Sequence, residues 1–185
     1  MRKSELRRWA KRRRAELDLE SFTAAALPHL AALLEDRRRI LLYAPLPGEA
    51  DPRGLLNLLP KASFFLPRVA GRELIVLPYS ERLRTSTLGV PEPIEGEPVP
   101  PGELDAVVVP ALAYDSEGYR LGHGLGYYDR FLQRLRPNAL SVGFLPRALV
   151  LDRLPRDPWD VPVKAIATEQ GVLEPGIAGT EDTAL

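Results

Sequence analysis

Cysteine is absent from this 185-residue sequence, and so are a net charge and any long apolar run. Without cysteine there is no disulfide framework, no thiolate nucleophile and no cysteine-ligated metal. The 25 basic and 25 acidic side chains balance, which argues against a protein that coats nucleic acid or an anionic membrane. No apolar stretch reaches the roughly 20 residues that span a bilayer, and no signal-peptide segment follows the basic N-terminus. We therefore expect a cytoplasmic monomer, or at most a weak dimer, with no membrane or nucleic-acid partner.

The hydrophobic pattern alternates between helices and strands. Two helices are predicted at the N-terminus, at 5–16 with Ser4 as cap and at 22–34 with Ser21 as cap, and Pro28 should kink the second or start a new one. The pattern further predicts strands at 39–44, 62–66, 73–77, 104–109, 140–144 and 163–167, and helices at 52–59, 127–135 and 146–154. This order favours a three-layer α/β fold, a mainly parallel sheet with helices on both faces.

Two segments lack apolar periodicity. Residues 79–102 are rich in proline, glycine, glutamate and serine, and a loop of this length inside a compact domain is usually functional or mobile. Residues 175–185 hold few large apolar side chains, so we expect a flexible C-terminal tail. Residues 1–174 are then expected to form a single catalytic domain, because the chain length suits one hydrophobic core.

The stretch RLGHGLGYYDR at 120–130 follows an apolar strand and precedes a helix. Its glycines allow backbone N–H groups to converge on an anion, Arg120 and Arg130 can neutralise phosphate, and Asp129 can hold a divalent cation on it. It is neither a Walker sequence nor a dinucleotide fingerprint. A plain strand-to-helix turn, with Asp129 favourably placed in the first helical turn, explains these residues equally well.

The longer block from Val109 to Leu132, VPALAYDSEGYRLGHGLGYYDRFL, resembles the 5-formyltetrahydrofolate cyclo-ligase (methenyltetrahydrofolate synthetase) family. The family pattern there is close to VPGLAFDxxGxRLGRGGGYYDRxL. Other family segments follow in the right order, namely Lys3–Arg7, Tyr43 with Pro45, Glu49 with Asp51, Pro67–Arg68, Gly89–Pro93 and Trp159–Lys164. The resemblance extends over residues 3–170.

The resemblance implies an enzyme that uses Mg²⁺ and ATP to convert 5-formyltetrahydrofolate to 5,10-methenyltetrahydrofolate. ATP would phosphorylate the formyl oxygen, N10 would attack the activated carbon, and phosphate would leave as the ring closes. Such chemistry rests on positioning and charge neutralisation and needs no protein nucleophile. The resemblance also implies a fold like that of the sugar-phosphate isomerase and CoA-transferase group.

The same resemblance assigns the site residues. The nucleotide set is Lys3, Arg7, Arg120, Leu121, Gly122, His123, Gly124, Leu125, Gly126, Tyr127 and Tyr128. The folate set is Ala44, Glu49 and Tyr127, and the magnesium ligands are Asp129 and Asp160. Arg7 and Arg120 are the expected catalytic residues. On residues alone, a solvated face is the better explanation of the basic first helix, a surface loop acid is the better explanation of Glu49, and Asp160 is otherwise an ordinary loop acid.

The sequence departs from the family pattern at several site positions. His123 stands where arginine is common, so a phosphate contact there is expected to be weaker or pH-sensitive. Leu125 replaces a glycine and would be strained if the position needs a positive φ. Pro158 replaces a glutamate and Lys164 an aspartate, which weakens the assignment of Asp160.

Two other functions stay open. One is a phosphosugar or CoA-type enzyme of the same fold that uses the glycine loop without ATP. The other is a non-catalytic folate- or RNA-binding module that uses the basic first helix. A magnesium- and ATP-dependent turnover separates the cyclo-ligase from both.

Overall fold

The computed structural model describes residues 1–175, so the predicted tail at 175–185 lies outside the described residues apart from its first position. The helices in this range are α1 (Lys3–Ala15), α2 (Leu19–Leu34), α3 (Leu55–Leu58) and α4 (Tyr127–Leu132). The strands are β1 (Arg39–Leu41), β2 (Ser63–Ala70), β3 (Glu73–Pro78), β4 (Leu83–Thr85), β5 (Pro91–Pro93), β6 (Ala106–Val109), β7 (Ala113–Asp115), β8 (Arg120–Leu121), β9 (Leu140–Phe144), β10 (Val150–Leu151), β11 (Ala165–Thr168) and β12 (Gly171–Leu173).

A seven-stranded sheet in the order β12-β11-β9-β6-β1-β2-β3 forms the centre of the molecule. The five inner strands are parallel, and only the two edge strands run antiparallel to their neighbours. The central strand β6 is buried along its whole length, as its Ala-Val-Val-Val sequence predicts for a strand covered on both faces. The predicted α/β fold with a large, mainly parallel sheet is confirmed, whereas the likeness to the sugar-phosphate isomerase group stays a prediction.

Each face of this sheet is covered by a different set of apolar side chains. On one face, α2 buries Phe22, Ala26, Leu30 and Leu34, which recur every four residues and form a single helical stripe. On the other face, α4 contributes Phe131 and Leu132, together with Tyr114 of β7. The carboxyl ends of the parallel strands are left free for loops, which is where such folds place ligands.

A second, three-stranded sheet in the order β10-β7-β8 was not predicted. Its strands have only two or three residues, too few for a period of two to emerge from the sequence. α1 packs against it, because Leu6 and Ala10 join the buried cluster of Leu112, Leu121 and Leu154. The predicted helix at 146–154 is wrong, since a single 3-10 turn at Arg147–Leu149 leads into β10.

The predicted helix boundaries at the N-terminus are also corrected. α1 begins two residues earlier than expected, because the Glu5 carboxylate accepts the backbone N–H of Arg2 at 3.2 Å, and Ser4 is not the cap. α2 is capped by Asp18, whose side chain accepts the N–H of Ser21 at 3.1 Å. The helix runs on through Pro28, so no new helix starts there.

Several other predicted elements have different lengths or contents. The helices expected at 52–59 and 127–135 are limited to α3 and α4, and the strand expected at 39–44 ends after β1. Segment 79–102 is not irregular, because it contains the β4–β5 hairpin and the start of a 3-10 turn at Pro101–Glu103. β12 was not expected. Among residues 1–175 no helix has the length and apolar character needed to cross a bilayer.

The contact between β9 and the buried ring of Tyr114 gives a test of the core. A Cβ on Gly143 would lie 2.5 Å from the Tyr114 ring, so Gly143→Ala should lower the free energy of unfolding by about 1–3 kcal/mol. Gly102→Ala is the matched control, since a Cβ there meets nothing within 4 Å, and its effect should stay within about 0.5 kcal/mol. Urea unfolding followed by circular dichroism measures both, and equal effects would contradict the packing assigned to Tyr114.

Candidate functional site

The loops that follow β1 and β6 border a cavity of about 390 Å³. The cavity is lined by every residue that the family resemblance assigned to the site, namely Lys3, Arg7, Ala44, Glu49, the run Arg120–Tyr128, Asp129 and Asp160. These residues come from four separate parts of the chain. Their assembly in one place is therefore a property of the fold, and no single motif contains it.

Two glycines determine the shape of the loop between β8 and α4. Gly124 has a φ of +96° and Gly126 a φ of +72°, values that side chains with a Cβ adopt only with strain. Leu125 between them has no positive φ, because none of the non-glycine residues described does, so the strain expected there is absent. The carbonyl of Gly122 accepts a hydrogen bond from Arg7 Nε at 2.7 Å, which attaches the loop to α1.

Arg120 is a nearly buried cation at the cavity wall, with 9% of its side chain exposed. Its Nε and Nη2 donate to the carbonyl of Pro110 at 3.2 and 3.1 Å, directly after β6. The guanidinium lies 5.2 Å from the ring centre of Tyr128, and its Nη1 is 3.9 Å from Asp129 Oδ2. Burial raises the pKa of Tyr128, so its hydroxyl is neutral at physiological pH.

Arg130 does not line the cavity, contrary to the phosphate contact that the motif suggested. Its Nε donates to the carbonyl of Arg72 at 2.9 Å in the β2–β3 turn, and its guanidinium lies 5.1 Å from the ring centre of Tyr127. The Tyr127 hydroxyl donates to the neighbouring carbonyl of Gly71 at 3.2 Å. Arg130 therefore helps to hold Tyr127 against this turn, and of the two arginines in the stretch 120–130 only Arg120 lines the cavity.

The carboxylates of Asp129 and Asp160 both accept backbone hydrogen bonds from the segment 157–161. Asp129 Oδ1 accepts the N–H of Val161 at 3.2 Å, while Asp160 Oδ2 accepts the N–H of Asp157 at 2.8 Å. Their side chains are only 13% and 9% exposed. No group of three metal-ligating residues occurs within residues 1–175. Two hard oxygen donors fit Mg²⁺, which takes its remaining ligands from water and phosphate.

Lys3 lies between two carboxylates of the same loop. Its Nζ donates to Asp157 Oδ2 at 2.6 Å and to Asp160 Oδ2 at 2.9 Å. Burial of the ammonium opposes its charge, but these hydrogen bonds outweigh that effect and raise the pKa of Lys3. Lys3 and Arg7 are half-buried in the cavity, so the solvated-face interpretation of the first helix is wrong for these two residues.

Another part of the cavity is mainly apolar and holds the half-buried carboxylate of Glu49. Glu49 Oε1 accepts the N–H of Leu46 at 2.7 Å, and burial raises the pKa of Glu49 against the opposing effects of that bond and of Arg14 and Arg120. The apolar lining consists of Ala44, Leu46, Pro67, Val69, Leu74, Leu88 and Val90. A flat ring with N–H donors at one edge suits such a wall.

Four polar or aromatic residues that line the cavity were not predicted as site residues: Tyr43, Glu92, Asp157 and Trp159. Glu92 is 5% exposed and accepts the N–H of Val69 at 3.1 Å, which attaches the β4–β5 hairpin to β2. Glu92 and Trp159 lie inside segments that match the family pattern. This match is the only feature of the sequence that could have identified them as site residues. Asp157 had no signal in the sequence beyond its charge.

His123 has its imidazole among several cations. Burial, and then the charges of Lys11, Arg14, Arg120 and Arg7, lower the pKa of His123 below its usual 6.5. The ring is therefore neutral at pH 7, and it does not replace the positive charge of the arginine that is common at this position.

Comparison with known proteins gives a consistent result. The family model described as "5-formyltetrahydrofolate cyclo-ligase family" matches residues 1–169. The 5-formyltetrahydrofolate cyclo-ligase of Mycolicibacterium smegmatis is 32% identical over 157 residues, which is 78% of this chain and 80% of that protein. The enzyme of the same name from Escherichia coli K12 is 30% identical over 145 residues, 73% of this chain and 80% of that protein.

Two solved structures are also similar to this chain. The NMR structure of 5,10-methenyltetrahydrofolate synthetase from Aquifex aeolicus has a TM-score of 0.78 and 37% identity, and the match covers 95% of this chain and 93% of that one. The synthetase from Mycoplasma pneumoniae has a TM-score of 0.75 at 24% identity, covering 91% and 99% of the two chains, and supports the fold alone.

The cations around His123 make its pKa a probe of anion binding. NMR titration of the two imidazoles, His29 and His123, should place His123 below 6.5, and the His123→Gln variant assigns the signal. Inorganic pyrophosphate should raise this pKa, because the bound anion offsets the charges of Arg7 and Arg120. The His29 signal serves as the internal control. A His123 pKa that does not respond to pyrophosphate at any concentration would argue against an anion site beside this ring.

Proposed function

The chain belongs to the 5-formyltetrahydrofolate cyclo-ligase family, and from that membership we propose that it cyclises 5-formyltetrahydrofolate to 5,10-methenyltetrahydrofolate with ATP. The observation that carries the proposal is the single cavity lined by every residue that the family resemblance assigns to ATP, folate and metal. The cavity has one polar part with cations and carboxylates and one mainly apolar part with the half-buried Glu49. This division suits a triphosphate beside a pterin.

The polar part of the cavity is assigned to the nucleotide. Lys3 and Arg7 are separated by one helical turn on α1, so both can reach the same phosphate chain. The glycine loop offers backbone N–H groups at close range, since Gly124 and Gly126 have no Cβ to keep a ligand away. α4 has only six residues, and the loop backbone and the arginines are therefore the principal phosphate ligands.

The apolar part of the cavity is assigned to the folate. Glu49 is held by the N–H of Leu46 and would accept hydrogen bonds from the amino and N3–H groups of the pterin. Ala44 leaves room for the ring system beside it, and Tyr127, held at its hydroxyl by Gly71, would form part of the opposite wall. In this arrangement the N5-formyl group would lie towards Arg120 and the terminal phosphate.

Arg120 and Arg7 are assigned the catalytic roles. The formyl oxygen attacks the terminal phosphorus of ATP and ADP leaves, after which N10 attacks the formyl carbon, loses its proton, and the C–O bond to phosphate breaks. Arg120 is kept in place by the Pro110 carbonyl, so it can stabilise negative charge on the transferred phosphate without moving. Asp129 and Asp160 would hold Mg²⁺, which offsets phosphate charge when it is bound.

The direct test is to incubate the protein with 5-formyltetrahydrofolate and Mg-ATP and to follow methenyltetrahydrofolate by absorbance. We expect product only when both ATP and Mg²⁺ are present. Absence of ATP-dependent product would reject the proposal. Magnesium-independent binding of a phosphosugar or CoA would then favour the related non-ATP enzymes, and salt-sensitive RNA binding without turnover would favour the binding module.

Two variants separate the two parts of the cavity. Asp129→Asn should lower kcat by about 100-fold and raise the Mg²⁺ requirement, with little change in the KM for folate, because it removes a charge that acts on the phosphates. Equal activity of Asp129→Asn and the unmodified protein would remove Asp129 from the metal role.

Glu49→Gln should raise the KM for folate by about tenfold and leave the Mg²⁺ requirement unchanged.

A further inference from the structure

Lys3 contacts both carboxylates of the turn Asp157–Asp160, and only one of these carboxylates has an assigned role. In the proposed function, Asp160 is a magnesium ligand and Lys3 contacts the nucleotide phosphates. In the structure, Lys3 Nζ and Asp160 Oδ2 form an ion pair of 2.9 Å. Each side chain is thus the charge partner of the other, in the place that phosphate and Mg²⁺ would take. Binding of Mg²⁺ and nucleotide therefore has to replace this pair.

A divalent cation and an ammonium cannot share one carboxylate oxygen without strong repulsion between the two positive charges. Asp160 Oδ2 already accepts two hydrogen bonds, from Lys3 Nζ and from the backbone N–H of Asp157. When a cation binds Asp160, the Lys3 contact is the one that has to weaken. The other partner of Lys3, Asp157 at 2.6 Å, makes the shorter contact and carries no assignment to metal or substrate.

The turn that carries both carboxylates is held by its own backbone. The N–H of Asp160 donates to the carbonyl of Asp157 at 3.1 Å, and Pro158 occupies the second position, where its fixed φ favours a β-turn. The distance between Asp157 and Asp160 is therefore maintained whether or not Lys3 contacts them. α1 is held independently through Leu6 and Ala10, which pack with Leu154.

From these contacts, and resting on the proposed function, we propose that Asp157 is a positioning residue for Lys3. Asp157 keeps the ammonium beside the phosphates while Asp160 exchanges Lys3 for Mg²⁺. Without Asp157, Lys3 has Asp160 as its only carboxylate partner and competes with the metal. The loss of Asp157 should therefore weaken nucleotide binding most strongly where Mg²⁺ is scarce.

The test is calorimetric binding of a non-hydrolysable ATP analogue at a series of Mg²⁺ concentrations. Asp157→Asn should weaken binding by about tenfold at low Mg²⁺ and by about twofold or less at saturating Mg²⁺. Asp157→Glu should restore most of the affinity. Asp152→Asn is the matched control, because it removes the same charge from an exposed carboxylate five residues away and should have no effect.

A double-mutant cycle distinguishes action through Lys3 from a direct contact with the ligand. Asp157→Asn should have no further effect on nucleotide affinity in a Lys3→Met background. The affinity for 5-formyltetrahydrofolate and the melting temperature should change little, within about twofold and about 2 °C, since the Asp157 side chain is 41% exposed.

Several results would overturn the assignment of Asp157. These are nucleotide affinity equal to that of the unmodified protein at every Mg²⁺ concentration, a deficit that is independent of Mg²⁺, and an additive loss in the Lys3→Met background. A lower melting temperature with parallel loss of folate binding would show that Asp157 stabilises the fold and does not position Lys3. If the unmodified protein binds no Mg-nucleotide at all, the proposed function itself is rejected. That measurement precedes any comparison of variants, so the two failures are distinguishable.

Discussion

The hydrogen bonds from Arg120 to the carbonyl of Pro110 are the contact on which the geometry of the cavity depends. Pro110 directly follows the central strand β6, so the guanidinium is fixed to the end of a strand that is buried along its whole length. Tyr128 packs beside the same guanidinium and Asp129 lies near it, which orients the start of α4. The glycine loop connects these two anchored points, and Arg7 attaches its first residue, Gly122, to α1.

The local elements of the site were predictable from the sequence, and their surroundings were only partly so. The glycines, arginines and carboxylates of 120–130 are adjacent in the chain, so their chemistry is evident from a single window. Arg130 shows the limit of that approach, because the group that it contacts, the carbonyl of Arg72, is far away in sequence. Likewise, the β4–β5 hairpin depends on the buried contact of Glu92 with Val69, which no periodicity reveals.

Family membership supplied the distant partners that residue patterns did not. The chain places more than one hundred and fifty residues between Lys3 and Asp160, with Glu49 in between. Without the family, an ordinary surface charge was the better explanation of Lys3 and Glu49, and Asp160 was otherwise an ordinary loop acid. All three line the same cavity, as the roles assigned by the resemblance require. Asp157 lacked both kinds of signal, and only its distance from Lys3 identifies it.

The zero net charge of the chain conceals a strong local separation of charge. Arg7, Lys11, Arg14 and Arg120 together act on His123 and, after burial, keep it neutral, which indicates a positive potential at the glycine loop. On the other side of this loop, Lys3 and Arg120 each face a carboxylate that is nearly buried. A polyanion that arrives with a divalent cation can replace both ion pairs at once, because it supplies a negative partner for the cations and a positive one for the carboxylates. Either component alone would leave half of these charges without a partner in a partly dehydrated cavity.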